Sequence, residues 1–134
     1  EAAYRMVLPR ADLAAEVRFH QGRMWEQADQ WRKAGRAYEQ VTRQFADAGP
    51  FAIEALKQTE RVLEKIGGGN AEKVLALYKS TWSRCSPPRG IAATFARQSN
   101  WYRIGTMYAQ RLTEAGHPDR AAEVRQRLAQ EMGL

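Results

Sequence analysis

The chain has 134 residues, 44% of them apolar and 27% charged, with a formal net charge of +6 and a mean hydropathy of −0.62. That suits one globular domain, long enough to bury a core of its own. It lacks a run near the roughly 18–20 apolar residues of a membrane span, and its single cysteine, Cys85, excludes an internal disulfide or an all-cysteine zinc site.

No alternating strand pattern bounded by turn residues occurs, whereas helical spacing recurs along the chain. Ala14, Val17, Gln21, Met24 and Ala28 share one helical face, with Trp25 at its margin and Phe19 about 180° away. Trp31, Ala34, Tyr38, Val41, Phe45 and Ala48 form a second stripe, which Gly49-Pro50 ends while Pro50 suits the first turn of a new helix. The third stripe is Ala52, Ala55, Leu56, Thr59, Val62, Leu63 and Ile66, stopped by Gly67-Gly68-Gly69. Asn70 reads as an N-cap opening a fourth helix with Ala71, Val74, Leu75, Tyr78 and Trp82 on one face. That helix ends near Cys85, because Ser86-Pro87-Pro88 cannot continue it. A fifth helix is predicted over 90–114, carrying Trp101, Ile104, Gly105, Tyr108 and Leu112. Gly116-His117-Pro118 breaks it, and a last, more polar helix over 119–132 presents Ala121, Val124, Leu128 and Met132.

The expected class is all-α, a single domain over 1–134, with six helices in three antiparallel hairpins at about 12–48, 50–85 and 90–132. Hairpins of this kind bury their apolar faces by stacking, although a six-helix bundle has the same periodicity. Residue 1 is Glu, which implies a trimmed or processed chain, and Tyr4, Met6, Val7 and Leu8 form a short apolar patch before helix one.

Trp101-x-x-Ile104-Gly105-x-x-Tyr108 resembles the first-helix signature of the tetratricopeptide repeat, with Ile in place of Leu. Gly22 and Trp25 repeat its Gly-x-x-aromatic half, and Ala34-x₃-Tyr38 with Val41 resembles the second-helix half. Leu56 lies one 34-residue period after Gly22, but Gly105 follows Leu56 by 49 residues, so an insert is placed at about 83–94. The stretch Ala37–Val41 through Phe45–Leu56 also resembles arrays in bacterial envelope lipoproteins, which keeps a periplasmic location open beside a cytoplasmic one.

The tetratricopeptide resemblance implies a right-handed superhelical array whose inner helices line a concave, protein-binding groove. One form of that family grips a terminal carboxylate with Lys, Asn and Arg. This sequence departs from it, placing Phe19, His20, Arg23, Ile53, Glu54, Lys57, Tyr102, Arg103 and Thr106 at the corresponding positions. Phe19, Arg23, Ile53, Lys57, Tyr102, Arg103 and Thr106 are then the candidate partner-binding residues, forming an apolar and basic groove for a peptide. The competing reading gives Phe19, Ile53 and Tyr102 to a second buried face against the next hairpin.

Charge is uneven. No acidic residue lies between Lys73 and Thr113, where Lys73 and a basic patch of Lys79, Arg84, Arg89, Arg97, Arg103 and Arg111 supply seven positives and the rest of the chain is near neutral. An acidic protein surface suits that field. The alternative function is a module for nucleic acid or another polyanion, with bases stacking on interleaved aromatics such as Tyr78, Trp82, Phe95 and Tyr102. Cys85-Ser86-Pro87-Pro88-Arg89 fits the C-x-P-x-R pattern of sulfatases, yet a small helical chain lacks the rest of that site. His20 and His117 have no metal-ligand spacing, and the triple glycine does not open a phosphate-cradling loop. The expected role is non-enzymatic protein binding, with no cofactor and no metal.

Overall fold

The structure, a computed structural model, describes residues 10–47, 49–67 and 71–131. Among them are α1 (Arg10–Gln27), α2 (Trp31–Gln44), α3 (Gly49–Lys65), α4 (Ala71–Ser83), a 3-10 segment (Gly90–Gln98), α5 (Asn100–Glu114) and α6 (Pro118–Glu131), and no strand among the described residues. The described residues are all-α with six α-helices, as the periodicity predicts. Tyr4 to Leu8, Ala48, the Asn70 cap and Met132 lie outside the described residues.

Helix ends follow local backbone chemistry. Gly116 sits at φ +85°, its N–H donating to the Thr113 carbonyl at 3.1 Å while the His117 N–H donates to Leu112 at 2.8 Å. Those bonds satisfy orphan carbonyls of α5, and Pro118 then starts α6. Asp29, at φ +57°, closes α1 in the same way: its N–H donates to Glu26 at 2.9 Å and that of Gln30 to Trp25 at 2.8 Å. The fifth helix is shorter than expected. Residues 90–98 wind as 3-10 with a non-helical break at Phe95, and α5 begins only after Ser99, whose Oγ accepts from the Tyr102 N–H at 3.1 Å. Ser99 is thus an N-cap in the interior of the helix predicted over 90–114.

Consecutive helices pack as hairpins, but unevenly. The α1–α2, α2–α3 and α5–α6 contacts are broad, α4 leans mainly on α5, and the α3–α4 seam is narrow. Apolar side chains divide into two clusters. One joins Ala15, Phe19, Ala34, Tyr38 and Val41 to Ala52, Ala55 and Val62 of α3. The other joins Ile53 and Leu56 of α3 to Tyr78, Trp82, Trp101, Ile104, Tyr108, Leu112 and Leu128. Because α3 is apolar on two sides, it is the wall shared by both clusters.

Two glycines allow the closest approaches. A Cβ on Gly22 would lie 2.5 Å from the Tyr38 ring, and one on Gly105 would lie 2.7 Å from Trp82 Nε1 and 2.8 Å from Leu128. Trp82 cannot easily give way, since Nε1 donates to the Trp101 carbonyl at 3.0 Å.

Helix α1 is turned opposite to its expected stripe. Val17 is 50% and Met24 67% exposed, while Ala15, Phe19 and Gly22 face inward. The physical reason is fit: Ala15 and Gly22 flank Phe19 at helical spacing, so α2 comes close and the Tyr38 and Phe51 rings meet the Phe19 ring at 5.5 Å each. A stripe of larger residues counts by area alone, and here close packing decides the side.

Urea unfolding tests this orientation. Phe19→Ala is expected to cost about 3–5 kcal/mol, whereas Val17→Asp stays within about 0.5 kcal/mol of the parent. Gly105→Ala is expected to cost about 1–3 kcal/mol by overpacking against Trp82. The reverse order for Phe19 and Val17 would mean that α1 packs through its other face.

Candidate functional site

The expected inner groove is only partly open. Phe19 and Ile53 are 6% and 1% exposed, held in the two apolar clusters, so they are core residues and not a contact surface. Arg23 is exposed and borders a polar recess of about 340 Å³ with Glu26, Gln27, Glu54, Gln58 and Arg61. That recess draws its lining from α1, α2 and α3 and does not reach α5. Lys57 is exposed 3.6 Å from Glu54 on its own helix. On α5, Tyr102 is half-buried against the second cluster, Arg103 is exposed, and the exposed Thr106 donates its hydroxyl to the Tyr102 carbonyl at 2.8 Å. The recess therefore collects Arg23 and an edge of the buried Phe19, but not Ile53, Lys57, Tyr102, Arg103 or Thr106.

Beneath this face, two glutamates tie the hairpins together. Glu26 on α1 accepts from the Tyr38 hydroxyl of α2 at 2.9 Å and from the Arg61 guanidinium of α3. Glu60 on α3, 34 residues later, accepts from the Tyr78 hydroxyl of α4 at 2.8 Å and from Arg111 of α5 at 2.9 and 3.0 Å. Each carboxylate links a helix to its hairpin mate and to a helix of the next hairpin. The Arg partner lies 35 residues after Glu26 but 51 after Glu60, which registers the long α4–α5 connection in the same geometry. Burial, followed by the hydrogen bond to glutamate, pushes the Tyr38 and Tyr78 phenols far above their ordinary value. The bond to Glu60 holds the Arg111 guanidinium above its own.

The pairing corrects one candidate. Arg111 is bound to Glu60, lies 3.5 Å from Glu114 and stacks over Tyr78 at 5.4 Å, so it is not an open member of a basic patch. Lys79, Arg84, Arg89, Arg97 and Arg103 are exposed, although Arg89 sits 3.9 Å from Glu131. They are spread over α4, the connection and α5, and Arg84 is the one of these five that enters the cleft between α2 and α4. Tyr78, Trp82, Trp101 and Tyr108 are buried, so they offer no stacking platform for bases, while Phe95 is 59% exposed.

A second, larger recess lies on the other side of α3, bounded by α2 and α4. This cleft holds about 560 Å³ and is walled by Arg32, Arg36 and Arg43 of α2, with Lys73 of α4 and Arg84 just beyond it. Its floor is Gly35, Val62, Leu63, Ile66, Ala76 and Leu77, with Thr42, Thr59 and Ser80 among them. Those hydroxyls already donate to the carbonyls of Glu39, Ala55 and Leu77 on their own helices. The floor consequently presents mostly carbon. Glu39 is the acid of the lining, and it is paired with Arg43 at 3.0 Å. The cleft exists because α4 leans toward α5, with Trp82 between Trp101 at 5.9 Å and Tyr108 at 6.0 Å, and leaves only a narrow seam with α3.

Charge summed along the chain missed the α2 arginines, since nearby acids cancel them. The available signal was periodic: Arg32, Gly35, Arg36, Glu39 and Arg43 share one helical face. Cys85 is buried, its thiol pushed up to about 12 by desolvation and then by Asp47, with Sγ within 3.5 Å of the Ala46 carbonyl. That is a packed, protonated thiol and not a nucleophile. No group of three or more His, Cys, Asp or Glu side chains among the described residues is placed to hold a metal ion, and no helix among them is long and apolar enough to cross a membrane.

Comparison with protein-family models, curated proteins and solved structures finds no match.

The raised phenol values fix a pH dependence. Both phenols stay protonated in the folded state, so their contribution is complete below the unfolded tyrosine value near 10 and is lost as pH rises above it. Isothermal urea unfolding between pH 8 and 11 is expected to show stability falling above pH 10. The slope should be shallower in Tyr38→Phe/Tyr78→Phe by up to about 1.4 kcal/mol per pH unit for each phenol removed. Equal slopes would contradict the buried, glutamate-bound phenols.

Proposed function

We propose that this chain is a non-enzymatic helical scaffold that binds a segment of another protein in the cleft between α2 and α4. The observation that carries the reading is the combination found there: a carbon-rich floor of Leu63, Ile66, Ala76 and Leu77 beside the exposed Arg32, Arg36, Arg43 and Arg84. An apolar recess rimmed by cations is what an amphipathic acidic segment requires, because burial supplies affinity and charge supplies rate and register. The tetratricopeptide-like part of the reading is supported by the close-contact glycines 22 and 105 and by the glutamates spaced one period apart. The binding surface, however, lies on the face formed by α2, α3 and α4 and not on the groove of α1, α3 and α5 expected from that resemblance. Polyanion binding is favoured by the same arginines, but the apolar floor and the buried aromatics favour a protein.

Affinity capture with the intact chain as bait, compared with four folded variants, tests the reading. Arg36→Glu and Ala76→Glu place acid on the rim and floor at exposed positions and are expected to abolish capture of a protein that the parent retains. Tyr102→Ala and Arg103→Glu, on α5, are expected to leave it unchanged. The opposite pattern would return the site to the inner groove, and capture of nucleic acid alone would replace the protein-binding reading.

A further inference from the structure

The α2–α4 cleft is long enough to lie along three turns of a helix. Its lining runs along α2 from Arg32 to Arg43, which at a rise of ~1.5 Å per residue is about 16 Å, or three helical turns. α2 and α4 face one another across the space without broad packing, and α3 runs beneath them. A strand would leave an unpaired edge here, since the described walls are helices whose backbone groups are bonded along their own axes. A helix brings its backbone bonds already made.

We infer that the cleft receives one acidic amphipathic α-helix of a partner protein, its apolar stripe on Leu63, Ile66, Ala76 and Leu77 and its carboxylates toward Arg36 and Arg84. This rests on the protein-binding reading of the cleft. Charge complementarity selects the occupant: the lining has cations at both ends, and its one acid is engaged by Arg43. Gly35, facing the floor 3.0 Å from Val62 Cγ1 as measured from an ideal Cβ, keeps the α2 wall low. Gly35 thus lets α2 sit close on α3 at the base of the cleft, and the bound helix lies against the rim above that contact. The apolar anchors recur at i, i+3, i+4 and i+7, and the acids flank them on both sides.

The test uses four fluorescent probes on the intact chain, read by anisotropy at physiological salt. They are a side-chain-crosslinked amphipathic helix of leucine and glutamate spanning about three turns, the same composition scrambled, the same sequence interrupted by proline, and a short single-stranded oligonucleotide. The crosslinked helix is expected to bind at least about tenfold tighter than the other three, and Arg36→Glu to weaken it by about tenfold or more. A version with lysine in place of the flanking glutamates is expected to prefer Arg36→Glu over the parent. Equal binding of the scrambled peptide would reduce the site to bulk charge, equal binding of the proline peptide would make the occupant extended, and tighter oligonucleotide binding would make it a polyanion. Each of those overturns the inference. If captured protein still depends on Ala76 while the helix does not bind, the helical occupant fails and the protein-binding site stands. If capture ignores the cleft variants, the site itself fails.

Discussion

Glu60 is the group on which the arrangement of this molecule depends. It sits on α3, the helix shared by both apolar clusters, and its carboxylate accepts from α4 through Tyr78 and from α5 through Arg111. A partly buried carboxylate without donors would cost several kcal/mol, so it is tolerable only where both donors reach it at once. That requirement fixes α4 and α5 relative to α3 although α3 and α4 share only a narrow apolar seam. Glu26 imposes the same condition one period earlier on α2 and α3. Polar groups here set the spacing of the rods, and the glycine and aromatic contacts fill the space that results.

The cleft follows from this division of labour. Trp82 is committed to α5, where it meets Trp101 and Tyr108, so the opposite face of α4 has no aromatic residue with which to close on α2. The residues left there are Lys73, Ala76, Leu77 and Ser80. A helix pair that packed fully would have placed a larger side chain at Ala76. The floor is apolar enough to gain from burial, and the rim is charged enough to keep it wetted while it is open.

Much of the fold was legible in the sequence because 3.6-residue periodicity and proline or glycine breaks are local signals. Pro50, Gly116 and Pro118 mark helix boundaries where the structure has them. The rest was decided by neighbours. Phe19 lay off the predicted stripe of α1 and proved central, because shape fit between Gly22 and the Tyr38 ring outweighs apolar area, and a helical wheel records area alone. Ser99 was hidden inside a continuous apolar pattern. Ile53 follows the competing reading, a second buried face, because α3 is apolar on two sides where one is the rule. As for the site, net charge drew attention to the acid-free stretch, whereas Arg111 of that stretch is consumed by Glu60 and Arg32, Arg36 and Arg43 outside it reach the cleft.

A double-mutant cycle between Glu60 and Tyr78 tests the central role of the carboxylate most directly. Stability of the parent, Glu60→Gln, Tyr78→Phe and the double variant, measured by urea unfolding near neutral pH, gives their coupling energy free of the single-site effects. A coupling of about 1 kcal/mol or more is predicted, since the phenol bond to the carboxylate is shielded between helices. Additivity within about 0.3 kcal/mol would contradict the account and leave the carboxylate without a part in holding α4 to α3.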